Sequence, residues 1–375
     1  MRNLALSALL PFFILTVSAI QQSPHDPFAI IAEFDRIASD SLWPSFDPRS
    51  IPVAIYDGEK TYLFRHPSPP KEFSKIEDHK DAWVFKGQHP TLRANTDIDL
   101  NGTRTATIIL DQSTRRSVRE LAAIVIHETF HVFQRQRHPT WVGNEAELFV
   151  YPVADASLLQ LQRLETEALR RALAATESSE MKCWAKSALE IRHARFARLP
   201  EGSVAYERGT ELNEGLAQYV EFRAARTLKA PSLPKDEFAP DDIRRRCYAV
   251  GQSLAVLLDR LDPAWPRRLG GGQALSLDEL LGATLSNFPT QSCGFSEAER
   301  EMVLTKAEID IEEVRAKKIA LRNDFLSQLG WKIIVIADEK ELLWPQGFDP
   351  LNVHRVGDGE VLHMRWLKLG NAAGM

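Results

Sequence analysis

The segment Ser117–His131 carries the pattern His-Glu-x-x-His within a run that has helical periodicity. Residues four apart on a helix share a face, so His127 and His131 direct their imidazoles to one point, with Glu128 beside them. Two neutral nitrogen ligands and a neighbouring carboxylate are what a catalytic divalent metal site needs. The pattern therefore predicts a helix that carries such a site, with Glu128 as the general base.

The residues around the motif argue against a chance match or an exposed histidine pair. The half of the helix before the histidines is strongly apolar, so it is expected to run into a core. Burying two histidines and a glutamate there without a partner is costly, and a bound metal removes that cost. Ser117 and Glu120 also match a capping box, which starts the helix about three turns before His127.

A catalytic site of this kind needs a third protein ligand. In one extended form of the motif, a glycine and a third histidine follow the first two. This chain has Gln134 and Arg137 at those positions, and His138 is one residue out of register, so the extended form is absent. Two acidic candidates remain, Glu214 and Glu145. The segment that follows Glu145 is rich in aromatic residues and proline, which favours an extended conformation rather than a ligand-bearing helix.

The run Leu-Asn-Glu-Gly-Leu-Ala over residues 212–217 resembles the Leu-Asn-Glu-Gly-Phe-Ala signature of the gluzincins, the superfamily of thermolysin and aminopeptidase N. The resemblance implies a zincin-like catalytic domain, a Zn²⁺ cofactor and Glu214 as the third ligand. Gly215 would let a facing helix approach closely. Residues 132–213 separate the two parts of the site, an interval longer than in the best-known gluzincins, so this segment must fold as an insertion. The Gly-x-Met-Glu-Asn motif of aminopeptidases does not occur, so an aminopeptidase is not supported.

Glu211 lies one helical turn before Glu214 and is expected to accept a hydrogen bond from a ligand imidazole. The alternative for Glu211, and equally for Glu221, is an exposed carboxylate on the surface of a helix.

The run Tyr248-x-x-Gly251 resembles the Tyr-x-x-Gly of the aminopeptidase N group, whose tyrosine stabilises the oxyanion of the tetrahedral intermediate. The resemblance implies this role for Tyr248, since a fixed phenol can donate to developing negative charge. Tyr219 is the reserve candidate, and a core tyrosine that only packs against its neighbours is the alternative for Tyr248.

The chain is expected to be an α+β protein: a mainly helical, zincin-like domain with a small N-terminal β-sheet beside the metal helix and a small C-terminal β-containing region. The expected division is a signal peptide over 1–20, a metallohydrolase domain over 21–295, and an accessory region over 296–375. Residues 155–200 should form a helical hairpin that breaks near Glu177–Glu180 and either walls the cleft or serves as scaffold.

Local patterns predict the individual elements. Asn101-Gly102 between β-rich runs predicts a hairpin directly before the metal helix. Pro52 places the strand expected over 51–56 at an edge of the sheet, unless the proline stands at the start of that strand. Helices are expected over 28–37, 204–228, 241–261, 277–285 and 296–329; strands are expected over 51–56, 331–337 and 361–369.

An apolar run follows Met1-Arg2-Asn3 and ends in Val17-Ser18-Ala19, the pattern of a cleaved signal peptide. We therefore expect a secreted or periplasmic protein with no membrane span after cleavage, although an uncleaved anchor is the alternative. Three cysteines, Cys183, Cys247 and Cys293, allow one disulfide whose pairing stays open. A net charge of −5 argues against nucleic acid as a main partner.

Together these features predict an exported zinc-dependent hydrolase, most simply a peptidase that acts on a peptide or protein substrate. Two alternatives stay open. One is a non-catalytic exported binding module that retains a metalloprotease fold, and the intact Glu128 counts against it. The other is a zinc hydrolase that acts on something other than peptides.

Overall fold

The computed structural model describes residues 26–39, 41–110, 115–225, 233, 238–269, 275–288, 291–331, 333–349, 352–357 and 359–371. The expected signal peptide over residues 1–20 lies outside this part of the chain. Within the described part, every helix is too short or too polar to cross a bilayer. The fold is mixed α+β, as the sequence predicts.

One helix and a six-stranded sheet form the N-terminal part. Their bounds are α1 Pro27–Ile37, β1 Val53–Tyr56, β2 Lys60–Phe64, β3 Ser74–Lys75, β4 Ala82–Lys86, β5 Thr96–Leu100 and β6 Thr103–Ile109. The strand order is β3-β4-β2-β1-β6-β5, in which β1 and β6 are parallel and the other pairs antiparallel. The predicted hairpin is confirmed: Asn101 and Gly102 have φ values of 48° and 76°, the left-handed conformations that a tight two-residue turn requires. Pro52 directly precedes the inner strand β1, where it removes no donor from the strand itself.

Helix α2, Val118–Arg137, carries the His-Glu-x-x-His motif across the sheet. Its predicted capping box is present, with the Ser117 hydroxyl accepting from the Glu120 N–H and the Glu120 carboxylate accepting from the Ser117 N–H. The apolar residues of its first half are buried against β6, α1 and a later helix. The helix therefore runs into the core, as the sequence indicates, and residues on both sides of the motif are buried.

A helical body follows, with α3 Ala156–Ala174, α4 Ser178–Phe196, α5 Glu201–Thr210, a π-helical turn at Glu211–Gly215, α6 Leu216–Ala225, α7 Ile243–Leu261, α8 Trp265–Leu269 and α9 Leu277–Leu285. The predicted hairpin over 155–200 is confirmed as α3 and α4. A short 3-10 helix at Glu145–Phe149 occupies the segment expected to be extended, because Asn144 caps it by accepting from the Ala146 N–H. Cys183 and Cys293 form a disulfide, and Cys247 is a buried free thiol.

The C-terminal part consists of the long helix α10, Glu297–Ser327, and four strands, β7 Trp344–Phe348, β8 Val353–Gly357, β9 Glu360–His363 and β10 Leu367–Gly370. Two predictions are wrong here. The described residues of 331–337 do not form a strand, because no neighbouring strand pairs with them. The single arm expected over 361–369 is divided, because β9 pairs with β8 whereas β10 pairs with β7. The predicted domain boundary at 296 stays a prediction.

Six charged side chains, each at most 1% exposed, form what we call the buried ionic cluster: Glu165, Arg192, Arg195, Glu207, Glu211 and Arg246. They come from α3, α4, α5, the π-turn and α7, so ion pairs join all of these elements. Burial alone would raise the pKa of Glu207, but Arg195 and Arg246 hold it well below its usual range. Each charge here depends on its partners, because an unpaired buried ion is strongly destabilising.

Replacing Arg192 by methionine removes the arginine that binds Glu211 and one of the three arginines that bind Glu165. We expect Arg192→Met to lower the free energy of unfolding by about 3–5 kcal/mol, measured by urea denaturation. The matched control is Arg198→Met, since Arg198 is 44% exposed and its Nη2 lies 3.4 Å from Asp155 Oδ2; about 0–1 kcal/mol is expected there. Equal losses in the two variants would contradict a special contribution from the cluster.

Candidate metal centre

Three side chains with metal-ligand chemistry converge beside the middle of α2. His127 Nε2 and His131 Nε2 lie 3.1 Å apart, and Glu214 Oε2 lies 3.7 Å and 3.3 Å from them, respectively. A tetrahedral zinc ion with bonds of about 2.0–2.2 Å holds neighbouring ligand atoms about 3.3 Å apart. The three separations therefore fit this donor set without a rearrangement. Of the two acidic candidates the structure brings Glu214 to the imidazoles, while the carboxylate of Glu145 pairs with Arg244.

Each imidazole is oriented through its other ring nitrogen. His127 Nδ1 donates to Glu221 Oε2 at 3.0 Å, and His131 Nδ1 donates to Gln134 Oε1 at 2.9 Å. The Gln134 amide is itself fixed, because it donates to the carbonyls of Leu212 and Asn213 at 2.9 Å. These bonds leave both Nε2 atoms facing Glu214, an arrangement that outer partners of metal-bound histidines commonly enforce.

The prediction that Glu211 accepts from a ligand imidazole is wrong, and Glu221 and Gln134 take that position instead. Residues Glu211–Gly215 form a π-turn, in which hydrogen bonds run from i to i+5 and each residue advances through a smaller angle than in an α-helix. Glu211 and Glu214 therefore no longer share a face. The Glu211 carboxylate accepts from Arg192 Nη2 at 2.6 Å inside the buried ionic cluster, so it is not an exposed carboxylate either.

A cleft of about 420 Å³ opens beside the imidazoles, between the end of β6 and helices α2, α6 and α7. The described residues that line it are Asn95, Ile108, Ile109, Leu110, Arg116, Leu121, Ile124, His127, Glu128, Gln218, Glu221 and Tyr248. Glu128 is only 6% exposed, and burial raises the pKa of its carboxyl group. A raised pKa suits a carboxylate that takes up and returns a proton near neutral pH.

Tyr248 reaches this cleft because two helices cross at a pair of glycines. A Cβ atom on Gly215 would lie 2.6 Å from the Cα of Gly251, and one on Gly251 would lie 2.7 Å from the carbonyl oxygen of Glu211. Backbone therefore packs directly on backbone, as the sequence suggests for Gly215. Tyr248 lies one turn before Gly251 and is brought beside Glu214. Burial and the Glu214 carboxylate raise the pKa of Tyr248, so its hydroxyl stays protonated.

The reserve candidate, Tyr219, has a structural position. Its hydroxyl donates to Asp259 Oδ2 at 2.7 Å, and its ring packs against Trp43 and Trp265 in the core. It is not among the side chains that line the cleft. Tyr248 is therefore the tyrosine that the structure places beside the candidate metal centre.

Compared with protein-family models, with curated proteins and with solved structures, the chain finds no match. The chemistry of the site is therefore argued from its own residues. Two imidazoles and one carboxylate suit a borderline-soft divalent ion such as Zn²⁺. A second group of ligand-type atoms, from Glu207, Glu211 and Cys247, is fully buried, and its two carboxylates are bound to arginines of the ionic cluster.

The orienting bond from Glu221 can be tested directly. Glu221→Gln weakens the charge-assisted hydrogen bond to His127 Nδ1, so the affinity for added Zn²⁺ should fall about 10- to 100-fold. Competition against a chromophoric chelator measures this change. Glu190→Gln, an exposed carboxylate on α4, is the control and should leave the affinity unchanged. Unaltered zinc binding by Glu221→Gln would rule out the orienting role.

The glycine crossing gives a second test. Gly251→Ala introduces a Cβ into the backbone contact, so we expect a loss of about 1–3 kcal/mol in stability, together with weaker zinc binding as Glu214 is displaced. Gly282→Ala is the control, since its Cβ would meet Leu189 at an ordinary 3.7 Å. Urea denaturation and zinc titration measure both effects. A Gly251→Ala variant as stable as the Gly282→Ala variant would show that the helices can separate without cost.

Proposed function

We propose that this protein is a zinc-dependent hydrolase of the gluzincin type that cleaves peptide bonds in peptide or protein substrates. The observation that carries the proposal is the convergence of His127, His131 and Glu214 at separations that fit zinc, next to the buried Glu128. The zincin-like character is supported by the placement of α2 beside a small sheet and by a glutamate supplied from a later helix. Export through the signal-like residues 1–20 is part of the same proposal.

The residues of the cleft divide the chemistry among them. When bound, zinc in such a site supplies Lewis-acid activation of a water molecule and of the substrate carbonyl group. Glu128 accepts the proton of the attacking water and returns it to the leaving amine, and its raised pKa matches both steps. Tyr248 keeps its proton and donates a hydrogen bond to the oxygen on which negative charge develops.

The cleft walls favour an extended substrate. Ile108 and Ile109 at the end of β6, with Leu110 after it, line the cleft together with Ile124 of α2 and Gln218 of α6. Apolar side chains alternate along the cleft with polar and charged ones, which can hydrogen-bond to the backbone of a polypeptide chain whose carbonyl reaches the proposed metal centre. This mixed lining supports a peptide substrate.

The decisive variant is Glu128→Gln, tested on the full chain with a library of fluorogenic peptides. We expect hydrolysis to fall at least about 10²- to 10⁴-fold, because the proton acceptor is lost. Zinc binding should persist, because Glu128 is not among the three converging ligands. Glu190→Gln is the control with full activity. Hydrolysis by Glu128→Gln at the wild-type rate would refute its role as base, and a zinc-bound but inactive wild type would favour a non-catalytic binding module.

A further inference from the structure

Arg244 lies in the first turn of α7, directly behind the metal centre. Its Nη2 donates to Glu214 Oε1 at 3.0 Å and to the Tyr248 oxygen at 2.8 Å, and its Nε donates to the same Tyr248 oxygen at 3.0 Å. Its Nη1 donates to the carboxylate of Glu145. One guanidinium therefore joins the third ligand, the proposed oxyanion donor and the second acidic candidate from the sequence.

We propose that Arg244 is a positioning residue of this centre, which fixes both the ligating oxygen of Glu214 and the direction of the Tyr248 hydroxyl proton. The inference rests on the proposed function for its effect on turnover. Its effect on metal coordination can be measured separately from hydrolysis.

The effect on Glu214 follows from the two faces of its carboxylate. Oε1 is bonded to Arg244, while Oε2 lies 3.3 Å and 3.7 Å from the imidazole Nε2 atoms. A carboxylate held in this way presents one oxygen to a metal, whereas an unrestrained one can rotate and present both. Hydrogen bonds to ligating groups control metal affinity in this manner.

The effect on Tyr248 follows from the hydrogen-bonding capacity of a phenol. A tyrosine hydroxyl has one proton to donate and accepts through its oxygen lone pairs. Two N–H groups of Arg244 occupy the accepting side of Tyr248, so the proton must point away from the guanidinium. Tyr248 lines the cleft, and its proton is directed to the Glu214 carboxylate, whose hydrogen bond helps to raise the pKa of Tyr248. A substrate oxygen that enters the cleft would have to take this proton in place of Glu214.

Glu145 completes the arrangement by balancing the charge of Arg244. A lone guanidinium next to Glu214 would repel a metal cation, and the Glu145 carboxylate on its far side offsets that field. Glu145 begins the 3-10 helix at Glu145–Phe149, which holds it toward α7. Glu145, the alternative third ligand suggested by the sequence, thus contacts Arg244 and not the metal itself.

Lysine cannot reproduce this geometry, because its ammonium is a point charge without the planar fork of arginine. Arg244→Lys therefore keeps the positive charge but loses the planar guanidinium, whereas Arg244→Gln removes the charge. The matched control is Arg245→Gln, since the neighbouring Arg245 is 74% exposed and pairs with Asp242 at the surface.

The experiment measures zinc affinity by chelator competition, the visible absorption spectrum of the cobalt-substituted protein, and kcat and KM on a cleaved peptide. Both Arg244 variants should bind zinc about 10- to 100-fold more weakly and show an altered cobalt spectrum. Their kcat should fall more than KM changes. Glu145→Gln should weaken zinc binding but keep the cobalt spectrum, because the fork of Arg244 stays in place. Arg245→Gln should match the wild type throughout.

A double-mutant cycle tests the link to Tyr248. Arg244→Lys should reduce kcat less in a Tyr248→Phe background than in the wild type, because the hydroxyl it positions is already gone. Equal reductions in both backgrounds would overturn that half of the proposal. Wild-type zinc affinity and cobalt spectrum in both Arg244 variants would overturn the other half, even if the variants were less stable.

Failure of the proposed function has a different signature. A wild type that binds zinc and cobalt but cleaves no peptide refutes the hydrolase, while the cobalt spectra still decide the role of Arg244 toward Glu214. A wild type that binds neither metal refutes both. If Arg244→Gln does not fold, Arg244→Lys, which retains the charge, decides the outcome alone.

Discussion

The contact between Gly215 and Gly251 is the constraint on which the rest of the site depends. It brings the π-turn and α7 into backbone contact, at a distance that no side chain would permit. Glu214 precedes one of these glycines, and Tyr248 precedes the other by one turn. The two motifs that resemble gluzincin signatures each contain one partner of this contact. The close contact of the π-turn with α7 therefore explains why both positions are glycine and why the Glu214 and Tyr248 side chains lie near each other.

The π-turn lets one short segment contribute a side chain to the buried ionic cluster and another to the candidate metal centre. Glu211 points into the buried ionic cluster and Glu214 points to the imidazoles, although a regular α-helix would direct both to one side. Arg192 of α4 pairs with Glu211 in the turn, and Arg246 of α7 pairs with Glu207 in α5 one turn earlier, both out of contact with water. Such a segment is costly to move, because any displacement leaves buried charges unpaired. Glu214 is therefore carried on a rigid support.

Local signals in the sequence predict much of this architecture. The capping box of Ser117, the Asn101-Gly102 turn and the spacing of His127 and His131 each act over a few residues, and the structure has all three in place. The role of Glu211 could not be predicted, because its inference assumed α-helical periodicity where the chain widens into a π-turn. Gln134, Glu221 and Arg244 are ordinary polar residues in the sequence. Gln134 and Glu221 bind partners 78 to 94 residues away. Arg244 binds Glu214 and Glu145 at separations of 30 and 99 residues, so the tertiary fold is needed to identify all three.

Acidic side chains predominate around the two imidazoles. Three carboxylates, those of Glu128, Glu214 and Glu221, lie beside the imidazoles, and Arg244 contacts Glu214 and the more distant Glu145. Burial alone would lower the pKa of His127, but hydrogen bonds to Glu214 and Glu221 raise it well above its usual value. The site thus favours added positive charge even without a metal. Burying so many carboxylates is costly unless cations compensate them, and a divalent ion held at Nε2 and Oε2 provides that compensation where the ligand geometry already points.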